Sequence, residues 1–553
     1  MNIFFKDDNK TIKPVWLSVL SGLLLGFSFP PFNFFISVFI GLVLFLNIFD
    51  ESKTFKSYFR RAYVVFFICD LIAVSWLIFS GLRENADIFL FVSGLLVLFF
   101  HPLFYVIPIS LFFFLKKRFT LHPALQILLF AVIYTSADYL NNLSQFSFPW
   151  ILLGNAFTYQ LHKIQIIEIT GVFGLSFWAA GLSAVIYYYY RKLYNPNFCI
   201  RSPKSLIAIA IILFIYFAPD LYTALFVNKA FQESSGSKKI NIGIVQPNID
   251  PWAKWGSKQD VIVNDYLNEI RDIRKKDSTT QLIIFPETAI PFYLMNGSYK
   301  DKFDKFTALI DSINTPLIIG APYYQTYKNK DEAPKDARKY DTKGDILYDS
   351  YNSALFITPH VDRDSVPIYK KMKLVIGAER IPYQEKLLAL SSLISWGTGI
   401  SAWQIGRDTL VFNYKDLKFN SAICYESVYP AFFANYVDKG AEFCTIITND
   451  GWWWKFFGTV QHQQYAILRA IENRRWIARS ANTGISCFID PYGNVFDKTP
   501  IYEKAEIIRS ISLRTDKTFY TTHADLIPII CIYVYIGLIG LLLIKRIMKK
   551  TNV

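Results

Sequence analysis

Seven apolar stretches follow one another between Val15 and Val227, at about 15–31, 33–50, 62–82, 88–115, 124–141, 166–190 and 204–227. Crossing the hydrocarbon core of a bilayer takes about 20 residues of α-helix. In lipid, each backbone polar group has to find its partner within the segment itself. These stretches are therefore read as transmembrane helices. An eighth runs from about Asp525 to Ile544. The stretch between the seventh and the eighth mixes polar and apolar residues as a globular domain does. The expected organisation is a seven-span membrane domain over 1–237, a globular domain over 238–516, and a last span with a basic tail over 517–553. The whole-chain figures agree, with 52% hydrophobic residues in 553 and a mean hydropathy of +0.26.

Lysine and arginine collect on the cytoplasmic side of membrane proteins. Here they alternate from one connection to the next. Lys6, Lys10 and Lys13 precede the first span, and Lys53, Lys56, Arg60 and Arg61 separate the second from the third. Lys116, Lys117 and Arg118 follow the fourth, Arg191, Lys192, Arg201 and Lys204 the sixth, and Lys545, Arg546, Lys549 and Lys550 the eighth. Connections such as 30–33 and 83–87 are nearly free of basic charge. This pattern puts both termini in the cytoplasm and the 238–516 domain outside. With no cleavable signal peptide apparent, the first span is expected to stay as an anchor. The net charge of +14 belongs largely to these flanks, where it sets topology and meets anionic lipid. No helix-turn-helix, zinc finger or aromatic RNA platform accompanies it, so nucleic acid is not an expected partner. Asp70, His101, Asp138 and Asp220 fall in or near the spans. They are scattered, and interhelical packing is the expected role rather than a proton relay. No inverted repeat of the transporter kind is visible.

From Lys239 onward, short β-rich runs alternate with amphipathic helical segments. Strands are expected at 240–246, 282–285, 317–320, 353–358, 409–413, 418–424, 443–448, 484–489 and 507–513, and helices at 259–274, 303–313, 427–438 and 461–474. Such alternation specifies an α/β layered domain. Lys328–Asp349 reads as an exposed loop. Three cysteines would lie outside: Cys424, Cys444 and Cys487. The last two sit in apolar strand-like runs and read as buried structural thiols.

Cys424 differs, because it ends an apolar run and is followed by Tyr425-Glu426. Glu287 ends another run at Phe285-Pro286-Glu287, and Pro367-Ile368-Tyr369 leads into Lys370-Lys371-Met372-Lys373. Functional groups gather at strand ends in α/β sheets. A carboxylate, a lysine and a thiol in such places suggest a nucleophile with its own base and cation. The trio resembles the Glu-Lys-Cys triad of the nitrilase superfamily. With this membrane frame, the chain resembles the apolipoprotein N-acyltransferase family over essentially its whole length. The resemblance is carried by Val245-Gln246-Pro247-Asn248-Ile249, Pro286-Glu287-Thr288-Ala289-Ile290-Pro291, Tyr369–Val375 and Ile423-Cys424-Tyr425-Glu426. It continues through Thr448-Asn449-Asp450-Gly451-Trp452-Trp453, Gln461-His462, Arg469-Ala470-Ile471-Glu472 and Asn482-Thr483-Gly484. Many members read Leu-Val-Pro-Phe-Gly-Glu where this chain reads Leu374-Val375-Ile376-Gly377-Ala378-Glu379. Three nearby lysines compete for the catalytic place, and counting back from Glu379 along the family spacing selects Lys371.

The resemblance implies a nitrilase-like αββα sandwich inserted between transmembrane helices of an eight-span domain. It implies a bacterial inner-membrane enzyme with its catalytic domain in the periplasm. The reaction would move an acyl chain from a phospholipid to the α-amino group of a diacylglyceryl-cysteine at an apolipoprotein's N-terminus, through a Cys424 thioester. Glu287 would be the general base. Lys371 would favour the thiolate and bind the oxyanion together with the backbone N–H of Tyr425. Glu379 and Glu426 would orient Lys371, Asn449 would border the site as a turn residue, and Trp255 would touch substrate. No cofactor or metal is implied, and a monomer is expected. The apolar run Lys386–Trp396, the aromatic patch Trp452-Trp453-Trp454 with Phe456-Phe457, and the broken segment Phe146–Gln160 fit lipid access at the membrane interface. Two other readings compete: a membrane-tethered amidase whose thioester is resolved by water, and a receptor or transporter for which the triad is coincidental.

Overall fold

A computed structural model describes residues 14–83, 88–192, 202–227, 238–256, 258–340, 346–383 and 403–551. The expected apolar arm at 386–396 and Cys199 fall outside the described residues. The N-terminal half forms α1 (Pro14–Gly26), α2 (Ser37–Glu51), α3 (Phe55–Ala73), a short helix Trp76–Ser80, α4 (Ile88–Arg118), α5 (Pro123–Leu143), α6 (Ile167–Lys192) and α7 (Pro203–Tyr222). There follow β1 (Lys239–Gln246), α8 (Gln259–Lys276), β2 (Leu282–Ile284), α9 (Lys300–Ile313), β3 (Leu317–Tyr327), β4 (Arg338–Lys339), β5 (Leu347–Ile357) and β6 (Ile368–Lys370). The chain continues through β7 (Phe412–Tyr414), β8 (Leu417–Ile423), α10 (Pro430–Asp438), β9 (Phe443–Thr448), α11 (Gly458–Asn473), β10 (Ile477–Ala481), β11 (Cys487–Ile489), β12 (Val495–Phe496), β13 (Ala505–Ser512) and α12 (Leu526–Thr551).

All eight apolar stretches become helical. Among the described residues, five helices are long and apolar enough to cross a membrane: Leu90–Arg118, Pro123–Leu143, Ile167–Lys192, Pro203–Val227 and Leu526–Met548. α1 and α2 have 13 and 15 residues, and α3 has 19 but carries Lys56, Arg60 and Arg61 near its start. The expected span 62–82 is interrupted at Val74, whose backbone (φ −131°, ψ 12°) leaves the helix.

The chain divides into two compact units. One comprises Met1–Trp76, Gly94–Glu233 and His523–Val553; the other comprises Leu77–Ser93 and Ser234–Thr522. Inside the first, the polar residues bind one another, as their scatter predicts. His101 Nδ1 lies 2.9 Å from Asp70 Oδ2 and its Nε2 2.9 Å from Asn141 Nδ2, while Lys163 pairs with Asp220. The segment 146–160 is broken, as expected. It forms two buried 3-10 turns, Pro149–Ile151 and Leu153–Phe157, covered by other residues of this unit. Its irregular backbone is satisfied by protein: Leu153 N–H donates to Asp138 Oδ2 and Gly154 N–H to Ser176 Oγ, each at 3.0 Å. Non-helical backbone within a helical bundle needs such partners.

The second unit holds two sheets. The first runs β13-β1-β2-β3-β5-β4 with β6 added on β5, and the second runs β12-β11-β10-β9-β8-β7. β1–β2–β3 and β8–β9–β10 are parallel. Side chains alternate across a strand, and β5 shows what that does here. Leu355 joins a buried cluster with Val263, Tyr266 and Ile270 of α8 and Phe303 and Phe306 of α9. Its neighbour Phe356 points the other way and meets Phe412 and Phe419 of the second sheet, ring centres 5.2 Å apart in each case. The short strands β4 and β12 were not expected from the sequence, and β5 and β10 also differ from its reading. β5 begins at Leu347, because it pairs with β3 over the whole register from Tyr327↔Leu347 to Leu317↔Ile357. The stretch read as one long loop is thus flanked by strand. β10 was not expected from the sequence, because Arg479 interrupts its apolar pattern; that guanidinium is fully buried.

Candidate active site

Three crossings from strand to loop build the site. After β2, Phe285 N–H still donates to Ile318 O (2.8 Å), and the chain then turns through Pro286-Glu287 into Thr288 at φ 45°. Gly320 of β3 makes room for this turn. A Cβ there would lie 2.5 Å from both Pro286 O and Thr288 N. After β6, Lys371 N–H donates to Asn352 O (2.9 Å). After β8, Cys424 takes φ 51° and opens the 3-10 turn Cys424–Val428. A non-glycine residue in the left-handed region is strained, and such strain is concentrated at functional sites. Here it lifts the thiol out of the strand direction.

Glu287 and Lys371 meet directly. Lys371 Nζ donates to Glu287 Oε1 and to Glu379 Oε1, both at 2.9 Å. Asn352 Nδ2 bridges the same two carboxylates at 2.7 and 2.9 Å. Glu287 Oε2 accepts the N–H of Asn449 at 3.0 Å, so Asn449 touches the carboxylate itself. Glu379 Oε2 accepts the N–H of Val375 (2.8 Å), closing the loop that follows Lys371. Of the three lysines, only Lys371 reaches Glu287. Lys370 donates to Gln325 Oε1 (2.5 Å), and Lys373 lies over the Tyr429 ring at 4.9 Å. Glu426 differs from expectation, because its oxygens are taken by groups other than Lys371. Oε1 accepts from Tyr369 Oη and Met372 N–H (2.6 Å each), and Oε2 from Ile423 N–H (2.7 Å). It ties the lysine strand to the thiol turn. Tyr425 is buried with its ring edge-on to Tyr429 at 5.3 Å.

The electrostatics follow from burial. Desolvation opposes charge on Lys371, but Glu287 and Glu379 outweigh it and hold the ammonium well above the ordinary lysine value. Burial and then the Glu287 charge push the Cys424 thiol well above its ordinary value, and Lys371 offsets only part of this. Lys371 thus favours the thiolate, as expected, while burial and the Glu287 charge favour the thiol. A base that acts during attack is what such a thiol requires. Burial likewise raises Glu426 to about 7.

A second network supports the nucleophile. The Cys424 carbonyl accepts from Ser427 Oγ (2.8 Å) and lies 3.1 Å from His462 Nε2. His462 Nδ1 is 2.9 Å from Asp450 Oδ1, and Arg479 donates to Asp450 Oδ2 at 2.8 Å. Although burial works against it, Arg479 and His462 hold the Asp450 carboxyl well below the usual range. Cys424, Asp450 and His462 bring metal-ligand atom types within 4.8 Å of one another. The Asp450 oxygens, however, are already engaged by Thr448, His462 and Arg479.

Residues 21–185 match the N-terminal domain of apolipoprotein N-acyltransferase, and residues 241–516 match the carbon-nitrogen hydrolase domain. An apolipoprotein N-acyltransferase of Chlorobaculum tepidum is 31% identical over 552 residues, covering 97% of each chain. The chain belongs to the apolipoprotein N-acyltransferase family. A Geobacter metallireducens apolipoprotein N-acyltransferase is 25% identical, covering 93% of this chain and 92% of its own. Among solved structures, a Saccharomyces cerevisiae member of branch 10 of the nitrilase superfamily is 15% identical, with a TM-score of 0.35 over 52% of this chain and 94% of that one. The chain is thus an acyltransferase of the nitrilase superfamily, an enzyme of lipoprotein biosynthesis.

The expected tryptophans take separate places. Trp452 packs edge-on to Trp252 (4.8 Å), and Trp453 packs against His462 (5.4 Å). Trp255 is 37% exposed. Phe456 contacts Phe79, ring centres 5.8 Å apart, and Ser80 Oγ donates to Trp453 O at 3.4 Å. The apolar segment after Trp76 thus packs within the catalytic unit. Asn352, Gly320 and Lys254 are functional candidates that the sequence reading passed over. For Asn352 the available signal was a buried-strand pattern interrupted by an amide, in Tyr351-Asn352-Ser353-Ala354.

Proposed function

We propose that this enzyme transfers an acyl chain from a phospholipid to the α-amino group of the diacylglyceryl-cysteine at an apolipoprotein's N-terminus. The observation that carries the reading is the buried Glu287–Lys371 pair, whose charges both act on a thiol held at φ 51°. Cys424 Sγ attacks the ester carbonyl carbon while Glu287 takes its proton. Lys371 and the Tyr425 N–H stabilise the oxyanion, donors of this kind being worth several kcal/mol in a dry site. The carbon–oxygen bond breaks, the proton passes from Glu287 to the glycerol oxygen, and a lysophospholipid leaves. The neutral α-amine then attacks the thioester, Glu287 takes a proton from nitrogen, and the carbon–sulfur bond breaks. That proton returns to Sγ, leaving an N-acyl amide and free enzyme. Glu379 and Asn352 hold Lys371 and Glu287 in register, and Glu426 aligns the loops that carry Lys371 and Cys424. Trp255, Trp452 and Trp453 are assigned to substrate contact.

The test is to incubate the purified protein with phospholipid and a diacylglyceryl-cysteine peptide and identify products by mass spectrometry. N-acyl peptide and lysophospholipid in equal amounts are expected. Free fatty acid without N-acyl peptide would show that water resolves the thioester and would replace this reading with a hydrolase.

In the same proposal the frame is an eight-span domain over 1–237 and 517–553, with an αββα catalytic domain over 238–516 outside the bacterial inner membrane. Both termini are cytoplasmic, and the enzyme works as a monomer. A cysteine placed at exposed Asp331 in intact cells should react with a membrane-impermeant thiol reagent. Protection there, with labelling only after lysis, would reverse the orientation.

A further inference from the structure

Lys254 is buried in the catalytic unit, at 1% exposure, and its Nζ has no hydrogen-bond partner among the described residues. Buried lysines are rare, and a buried polar group without a partner is costly. The turn that carries it is firmly built. Asp250 Oδ1 accepts the N–H of Trp252 (2.8 Å), and Asp250 O accepts the N–H of Lys254 (3.1 Å). Arg83 pairs with the same aspartate. This turn packs on the loop that holds the base. Pro251 comes within 3.2 Å of where a Cβ on Gly451 would lie, and Trp252 stacks edge-on with Trp452. Two residues before Gly451, Asn449 donates its N–H to Glu287 Oε2. Glu287 is the opposite charge that acts on Lys254. The site therefore has two lysines around one base. Lys371 gives two of its three N–H donors to carboxylates, whereas Lys254 gives none to a described residue.

We infer that Lys254 is a further catalytic residue, whose Nζ–H donates to the glycerol oxygen of the acyl donor as that oxygen leaves. This rests on the acyl-transfer reading of Cys424. The leaving oxygen receives its proton from Glu287, so it must come within hydrogen-bond reach of that carboxyl, and Lys254 is the buried cation that feels the same carboxylate without donating to a described residue. Burial pushes the Lys254 amine down to about 7, Glu287 offsetting part of the shift, and both protonation states keep an N–H to donate. A glycerol alkoxide is a poor leaving group and gains from such a donor, whereas a nitrophenolate leaves without one.

The experiment measures single-turnover acylation of Cys424 by mass spectrometry in the full-length protein. Two donors carry the same acyl chain: a diacyl phospholipid and a p-nitrophenyl ester. Lys254→Met should slow acylation from phospholipid on the order of 10²-fold, the scale of losing one donor to developing charge, and leave the nitrophenyl ester little changed. Lys254→Gln, which keeps an N–H, should recover most of the phospholipid rate. Equal slowing of both donors would show a structural role and overturn the inference, as would an unchanged phospholipid rate. A wild-type protein acylated by neither donor would overturn the acyl-transfer reading, and the inference with it.

Discussion

Cys424→Ala is expected to abolish N-acyl product and the acyl adduct together, lowering the rate by roughly 10⁶-fold, the scale seen when a covalent enzyme loses its nucleophile. Three features make the expected loss complete. The thiol stands at a strained φ of 51°, held by Ser427 and His462 on its carbonyl, a placement another residue cannot reproduce from a regular strand. The other cysteines of the catalytic unit, Cys444 and Cys487, lie inside β9 and β11, where burial pushes them up to about 12 and about 11. Neither offers a substitute nucleophile. The substitution removes one sulfur and keeps the Cβ, so the fold should survive, with a stability change within about 1 kcal/mol. Rates of N-acyl peptide formation and the thermal midpoint, measured on one preparation, check both parts. N-acylation at the wild-type rate by Cys424→Ala would sink the thioester mechanism.

The site was legible in the sequence where chemistry coincides with a local break in pattern. Pro286 stops an apolar run just before Glu287, and Cys424 caps another, so both could be placed at strand ends without tertiary information. Lys371 needed more. Nothing within the run separates it from Lys370 and Lys373; the spacing to Glu379 selected it, and the contact with Glu287 is made only in the fold. Asn352 and Gly320 were hidden for the same reason. Their roles arise from the β3–β5 register and from the packing of β3 under the Pro286 turn, contacts between residues far apart in sequence. Arg479 kept β10 out of the sequence reading, because a charge breaks a buried strand's apolar pattern and its partner Asp450 lies far away in sequence. The helices of the membrane half were visible as hydrophobic runs. Their ends were not, because Val74 and the turns at 149–157 are set by tertiary partners rather than by composition.

Glu287→Gln should separate the base from the electrostatic scaffold. All three groups on this carboxylate are donors: Lys371 Nζ, Asn352 Nδ2 and Asn449 N–H, at 2.9, 2.7 and 3.0 Å. A glutamine must turn its NH₂ toward one of them, leaving a donor facing a donor, at a cost of about 1–3 kcal/mol. Loss of the base should slow acyl-enzyme formation about 10²- to 10⁴-fold. The thiol's own acidity should move the other way. Burial is the main reason Cys424 stays protonated, and the Glu287 charge is the next. Removing that charge lowers the thiol pKa and raises the thiolate fraction at a fixed pH. Alkylation of Cys424 by iodoacetamide needs thiolate and no base, so it should run at least as fast as in the wild type while acylation by phospholipid collapses. A site that was merely deformed would lose both reactions together. An acyl adduct forming at the normal rate would remove Glu287 from the role of base.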